Sequence, residues 1–153
     1  MIKDKLYMQQ ALKQANYARL EDEVPVGAVI VYKGKIIAKS YNQIERLKDP
    51  TAHAEILAIT QGSNYLKSKW LNGCRLYVTT EPCSMCAGAL VLARIDKVIF
   101  GAADPKTGAL GSKVDINRLG LNHNFRVKKG VLEKECGDIL KDFFKKKRKS
   151  KSN

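Results

Sequence analysis

A chain of 153 residues, 44% hydrophobic and 28% charged, has the length and composition of one domain that buries a core without disulfides. No apolar run approaches the roughly 20 residues of a membrane span, and the opening MIKDKLYMQQ lacks the apolar core of a secretory leader. The expectation is a cytoplasmic protein without a membrane partner, in which Cys74, Cys83, Cys86 and Cys136 stay reduced. Lys and Arg total 28 against 15 acidic residues, and a net charge of +13 exceeds what solubility needs, so a polyanion such as nucleic acid is the expected partner.

From Asp4 to about Arg19, Leu6, Ala11, Leu12 and Ala15 recur at the spacing of one helical face. Pro25 and Gly27 end that pattern. GAVIVYK (27–33) and KIIAKSYN (35–42) are rich in β-branched residues and meet at Lys33-Gly34, which predicts a β-hairpin. After the loop QIERLKDP (43–50), Asp49 or Thr51 can cap a helix that runs to about Gln61 and stops at Gly62. CRLYVTT (74–80) reads as a strand, CSMCAGALVLA (83–93) as a helix opened by Pro82, and DKVIFGA (96–102) as a buried strand. The glycine-flanked ADPKTGALGSK is an irregular loop, HNFRVKKGVL (123–132) holds a fifth strand, and a last helix runs from about Glu133 to Lys147. The tail KKKRKSKSN (145–153) carries six basic residues and no acid, the pattern of a solvated or phosphate-contacting arm.

Strands alternating with helices predict an α/β fold, a three-layer sandwich with helices on both faces of one sheet. Ligands in such folds gather where strands end and helices begin. TAHAE (51–55) and PCSMC (82–86) both fall at helix starts. Cys83 and Cys86 lie one helical turn apart, so their sulfurs can converge on one metal, and the positive end of the helix dipole favours their thiolates. His53 can supply a third ligand. A structural zinc site needs two ligand pairs, each close in sequence, whereas here a single C-x-x-C faces a single H-x-E. Three protein ligands leave a fourth position for water, the layout of a catalytic zinc, and Glu55 is placed to take that water's proton. A redox C-x-x-C leaves the His53–Glu55 pair without a role. A silent module with structural zinc leaves Glu55 without one. The conjunction H-x-E … P-C-x-x-C is the signature of zinc-dependent base deaminases.

Beyond these two motifs, VPVGAVIV (24–31), DPTAHAEILAI (49–59), LYVTTEPCSMCAGAL (76–90), ARIDKVIFGAADPKTGALGS (93–112), LNH (121–123) and DFFKKKR (142–148) resemble the bacterial tRNA-specific adenosine deaminases of the cytidine deaminase-like superfamily. The resemblance covers nearly the whole chain, with QIERLK (43–48) and NRLG (117–120) as the stretches that depart from it. It implies a single CMP/dCMP-type zinc deaminase domain over 1–153, a mixed five-stranded sheet, and a homodimer joined through the 83–93 helix and adjacent loops. It implies one zinc per subunit on His53, Cys83 and Cys86, a catalytic water, and hydroxide attack on C6 of the wobble adenosine (position 34) in a tRNA anticodon stem-loop. Glu55 shuttles protons, and ammonia leaves. By the same resemblance Asn42, Pro25, Val26 and Ala54 form the base pocket. Asp104, Asn122 and His123 meet neighbouring RNA, and Phe143 and Phe144 offer stacking faces, at least one of them expected in the core. Lys106, Arg126, Lys145, Lys146 and Arg148 are phosphate candidates. The alternative within the superfamily is a deaminase of a free base or nucleoside, guanine or cytosine, against which the basic tail argues.

Overall fold

The computed structural model describes residues 2–151; Met1 and the last two residues of the basic tail, Ser152 and Asn153, lie outside the described residues. The hairpin forms as expected. β1 (Gly27–Tyr32) and β2 (Lys35–Tyr41) pair antiparallel. Their two turn residues, Lys33 and Gly34, both have positive φ, 49° and 76°, the handedness that matches the twist of the strands. β3 (Cys74–Thr80) pairs antiparallel with β1 and parallel with β4 (Lys97–Ala102), which pairs parallel with β5 (Arg126–Lys129). The result is one mixed five-stranded sheet in the order β2-β1-β3-β4-β5, the mixed five-stranded sheet that the resemblance implies.

Side chains on successive strand residues leave opposite faces of the sheet. On one face Val29, Val31, Tyr77 and Ile99 pack with Met8 and Ala11 of α1 (Ile2–Leu20) and Cys136 of α5 (Glu133–Lys151). On the other, Ala28, Ile30, Leu76, Val78 and Phe100 pack with Ala54 and Ala58 of α3 (Ala54–Leu66) and Ala87 and Leu90 of α4 (Ser84–Leu92). Each large side chain fully buried in this way contributes about 1.5–3 kcal/mol. Cys74 and Cys136 are free and fully buried, and burial pushes their thiols up to about 11 and about 12. Gly27 lets the backbone of α1 sit directly on β1, since a Cβ there would meet the Ala11 carbonyl oxygen at 2.0 Å.

Four elements differ from the sequence expectation. α1 turns its Asp4, Met8, Ala11, Ala15 and Ala18 face inward, while Leu6 is 54% exposed. The buried Asp4 accepts from the Tyr77 hydroxyl (2.6 Å) and the Lys128 ammonium (2.6 Å), so a polar network replaces the apolar contact expected of Leu6. A short helix, α2 (Ile44–Leu47), occupies the 43–48 loop, and its Glu45 and Arg46 N–H groups donate to the buried Glu23 carboxylate (3.0 and 2.8 Å). α3 starts at Ala54, not at Asp49 or Thr51, because Asp49 Oδ1 closes a local turn by accepting from the Thr51 N–H (2.8 Å). It also runs past Gly62, whose missing Cβ admits Ile30 and Leu71. Finally, α5 continues to Lys151, so the basic run is helical; Lys147 is tied to Asp22 by a 2.6 Å ion pair.

Candidate metal centre and adjoining pocket

β3 ends at Thr80, and the chain passes through Glu81 and Pro82 to Cys83, the extended residue just before α4 (φ −74°, ψ 176°). Cys86 lies in the first turn of that helix. His53 occupies the equivalent place before α3 (φ −74°, ψ 153°), with Glu55 two residues into the turn. Neither His53 nor Cys83 spends its side chain on capping its helix. At α3 that task falls to Asn42, whose Oδ1 accepts from the Ala54 N–H at 2.7 Å, while the Ser40 hydroxyl donates to the Ala54 carbonyl at 2.6 Å.

This geometry brings His53 Nδ1 within 3.7 Å of Cys83 Sγ and 3.5 Å of Cys86 Sγ. A tetrahedral zinc with ordinary Zn–S and Zn–N bonds separates such donors by about 3.6 Å. The three residues therefore hold one donor set that fits a metal ion, and they are the one such group of histidine, cysteine and carboxylate side chains among the described residues.

The electrostatics are those of a site built around positive charge. A hydrogen bond from Cys86 holds the Cys83 thiol down to about 4 against the opposing effect of burial, and His53 adds to the lowering. The same bond, burial and the negative charge of Glu55 push Cys86 upward. A divalent ion removes that opposition by favouring both thiolates. The Cys83 hydrogen bond raises His53. Glu55 is 4% exposed, and burial pushes its carboxyl up to about 7.

A pocket of about 240 Å³ opens beside these groups, lined by His53, Glu55 and Cys83 together with Val26, Asn42 and Asp104. Asn42 spends its oxygen on Ala54, so the group it can offer the pocket is its NH2. Asp104 also shapes its own turn, accepting from the N–H groups of Lys106 (3.0 Å) and Thr107 (3.1 Å) and from the Thr107 hydroxyl (2.8 Å). Lys106 is exposed on that turn.

Pro25 and Ala54 are buried, each between two residues that line the pocket. The remaining expected site residues lie elsewhere. Asn122 and His123 line a different cleft, beside α4, where His123 Nε2 bonds the Ile95 carbonyl at 2.7 Å. Arg126 sits at the amino end of β5, paired with Asp96 at 2.9 Å, at the opposite end of the parallel strands from the pocket. Of the two phenylalanines, Phe143 is buried and Phe144 is 44% exposed beside Val24 and Ile44. Lys145, Lys146 and Arg148 are exposed on α5.

The sequence reading missed Val24, Ile44, Thr80, Glu81 and Thr107, all of which line the pocket. Thr80 and Glu81 directly precede Pro82, the strongest available signal. Glu81, 3% exposed, organises the 103–113 loop by accepting from the N–H groups of Asp104 (3.0 Å), Leu110 (2.9 Å) and Ser112 (3.1 Å) and from the Ser112 hydroxyl. Gly108 is required there, since its Cβ would fall 2.3 Å from the Glu81 carboxyl carbon.

Comparison with known proteins bears on this site. Residues 2–148 match the MafB19-like deaminase family. The chain is 47% identical over 152 residues to the tRNA-specific adenosine deaminase of Bacillus subtilis, covering 99% of this chain and 94% of that one. It is 50% identical over 143 residues to the tRNA-specific adenosine deaminase of Aquifex aeolicus, covering 93% and 94%. A solved structure from a study of A-to-I editing by tRNA:A34 deaminases at the wobble position of transfer RNA superposes with a TM-score of 0.82 at 42% identity, over 88% of this chain and 99% of that chain.

Proposed function

Because the chain belongs to the MafB19-like deaminases, and within them to the tRNA-specific adenosine deaminases, we propose that it hydrolyses adenosine to inosine and ammonia at the wobble position, position 34, of a tRNA anticodon. The observation that carries this reading is the buried Glu55 set against the His53–Cys83–Cys86 donor set, in a pocket sized for one nucleobase. Two thiolates and an imidazole at tetrahedral spacing suit zinc, one ion per subunit. When bound, zinc supplies a Lewis acid that makes water acidic near neutral pH.

The rest of the chemistry falls to the chain. Glu55 takes a proton from the attacking water, delivers it to the ring nitrogen beside C6, and assists departure of the amino group. A carboxyl raised to about 7 exchanges protons readily at neutral pH. Asn42 offers its NH2 to the base edge, Val26 packs on the ring, and Asp104 holds the adjoining turn in shape. A pocket that admits one base favours an unpaired anticodon-loop nucleotide, whose extrusion costs less than flipping from a duplex. Lys106, Lys145, Lys146 and Arg148 face solvent, where they meet phosphates, and Phe144 offers a ring edge or face to a neighbouring base.

The whole chain acts as one deaminase domain in the cytoplasm, as a homodimer through α4. That assembly is supported by an apolar cleft of about 980 Å³ along α4, where Leu92 is 80% exposed and Trp70 43% exposed. Asn122 and His123 line this cleft and so lie at the subunit junction, where RNA crossing both subunits passes.

The test is incubation of zinc-loaded protein with the tRNA of its own organism, followed by nucleoside analysis. Wild type yields inosine at position 34. Glu55→Ala loses roughly 10²- to 10⁴-fold in rate with unchanged zinc content. Inosine formed at the wild-type rate by Glu55→Ala refutes the mechanism. No inosine, with ammonia released from free guanine or cytosine instead, refutes the substrate.

A further inference from the structure

Two threonines end β3, and they differ in a way the fold does not explain. Thr79 faces the α1 side of the sheet, and its hydroxyl accepts from the Gly27 N–H at 3.1 Å. Thr80 faces the other side, the side of α3 and α4, and lines the pocket with Asn42, His53 and Glu55. Its Oγ1 is the one buried side-chain nitrogen or oxygen among the described residues that has no hydrogen-bond partner. Buried hydroxyls are normally satisfied, and valine has the same shape without the penalty of an unpaired oxygen. A hydroxyl held at this point of the fold costs stability, and the protein gains nothing from it by folding alone.

The surroundings identify what it serves. The backbone here is locked: Thr80 pairs with Ala102 in the β3–β4 ladder, and the Glu81 N–H donates to the Ala102 carbonyl at 2.8 Å. Only the side chain can respond to an occupant of the pocket. A threonine carries its methyl and hydroxyl on one carbon, so a rotation of about 120° about χ1 carries the hydroxyl to the position the methyl held and the methyl to that of the hydrogen. No hydrogen bond opposes that turn, because Oγ1 makes none. We propose that Thr80 is a specificity residue for the substrate, its hydroxyl turning into the pocket to hydrogen-bond the target nucleotide. The proposal rests on the deamination reading above. It adds, on the β3 wall, a second polar contact to the one the NH2 of Asn42 can offer.

The test compares wild type, Thr80→Val and Thr80→Ser on an anticodon stem-loop RNA, with kcat and KM measured separately and Tm recorded for each protein. Thr80→Val removes the hydroxyl at constant shape, so Tm rises by about 2 °C while kcat/KM falls by about fivefold. Thr80→Ser keeps the hydroxyl and stays within about twofold of wild type in kcat/KM. A stem-loop with 2′-deoxyadenosine at the target position assigns the contact. If the Thr80→Val defect vanishes on it, the partner is the ribose hydroxyl; if the defect persists, the partner is the base. Either result upholds the contact. Thr80→Val with wild-type kcat/KM on the RNA overturns it, whatever happens to Tm. Absence of inosine from the wild type overturns the deamination reading and this proposal together, whereas inosine formed with equal kcat/KM by wild type and Thr80→Val overturns this proposal alone.

Discussion

Replacing Glu81 by glutamine changes a single atom of a side chain that is 3% exposed, yet four donors converge on its carboxylate. One oxygen accepts from the Leu110 and Ser112 N–H groups, the other from the Asp104 N–H and the Ser112 hydroxyl. An amide nitrogen accepts nothing. The cheaper orientation places it at the second oxygen's position, where the serine hydroxyl can turn and become an acceptor, but the Asp104 N–H loses its partner. That orphaned group costs about 1–3 kcal/mol, and the remaining bonds fall from charge-assisted to neutral strength, about 1 kcal/mol each. A neutral amide is cheaper to bury, which offsets part of the loss. The net expectation for Glu81→Gln is about 3 kcal/mol, a large part of the 5–15 kcal/mol typical of a domain. Urea unfolding followed by circular dichroism reads this as a midpoint lowered by about 1.5 M at an unchanged slope near 2 kcal/mol/M. Hydrogen exchange at the Leu110 and Ser112 amides should accelerate in parallel. A midpoint within about 0.3 M of wild type refutes the reasoning, because the 103–113 loop is then held by something other than this carboxylate.

Two other perturbations test distant parts of the molecule. Burial pushes the Asp4 carboxyl up, but the Lys128 and Tyr77 hydrogen bonds and the Lys128 charge outweigh it and hold the group near 2 instead of 3.8. A carboxyl lowered by folding stabilises the protein above its unfolded pKa, and that contribution drains away as pH falls through the folded one. Asp4→Asn is therefore expected to be about 2 kcal/mol less stable at pH 7, with the gap closing between about pH 4 and pH 2 in denaturant titrations; a gap independent of pH contradicts the assignment. On α5, Lys145→Ala and Arg148→Ala are expected to flatten the dependence of log affinity on log salt by about 0.7 each for single-stranded loop RNA, with kcat at saturating RNA unchanged. An unchanged slope removes that helix from the RNA path.

The candidate metal-binding group was legible because each motif is local: Cys83 and Cys86 share one turn, and His53 and Glu55 share another. Strands β1 to β4 were legible for a similar reason, since short runs rich in β-branched residues leave few alternatives, whereas β5, RVKK, carries one such residue and takes its place from its pairing with β4. What failed to show in the chain depends on distant partners. Asp49 and Thr51 have the chemistry of helix caps, but the helix start is set by Asn42, twelve residues away, acting on Ala54. Gly62 resembles a helix stop until Ile30 and Leu71 are brought against it. Leu6 has an apolar side chain at a helical spacing, yet the inward face of α1 includes an aspartate whose partners are Tyr77 and Lys128. Asn122, His123 and Arg126 were plausible by residue type; which end of the sheet and which side of α4 they occupy is a property of the topology alone. Ile44 gave no signal, because nothing local marks a four-residue helix anchored by Glu23.

Asn42 leaves this protein little freedom at one point of its evolution. Its oxygen must face backward to the Ala54 N–H, at the start of the helix that carries Glu55 and follows His53, while its nitrogen faces forward into the pocket. Aspartate satisfies the helix but turns an acceptor, and a second negative charge, toward Glu55. Serine can accept from the helix but is too short to present a second polar group to the pocket. Glutamine carries both groups on a stem one carbon too long for the 2.7 Å contact. This pocket-lining side chain is thus chosen as much by the backbone behind it as by whatever occupies the space in front, and any lineage that reshapes the pocket here must do so at neighbouring positions.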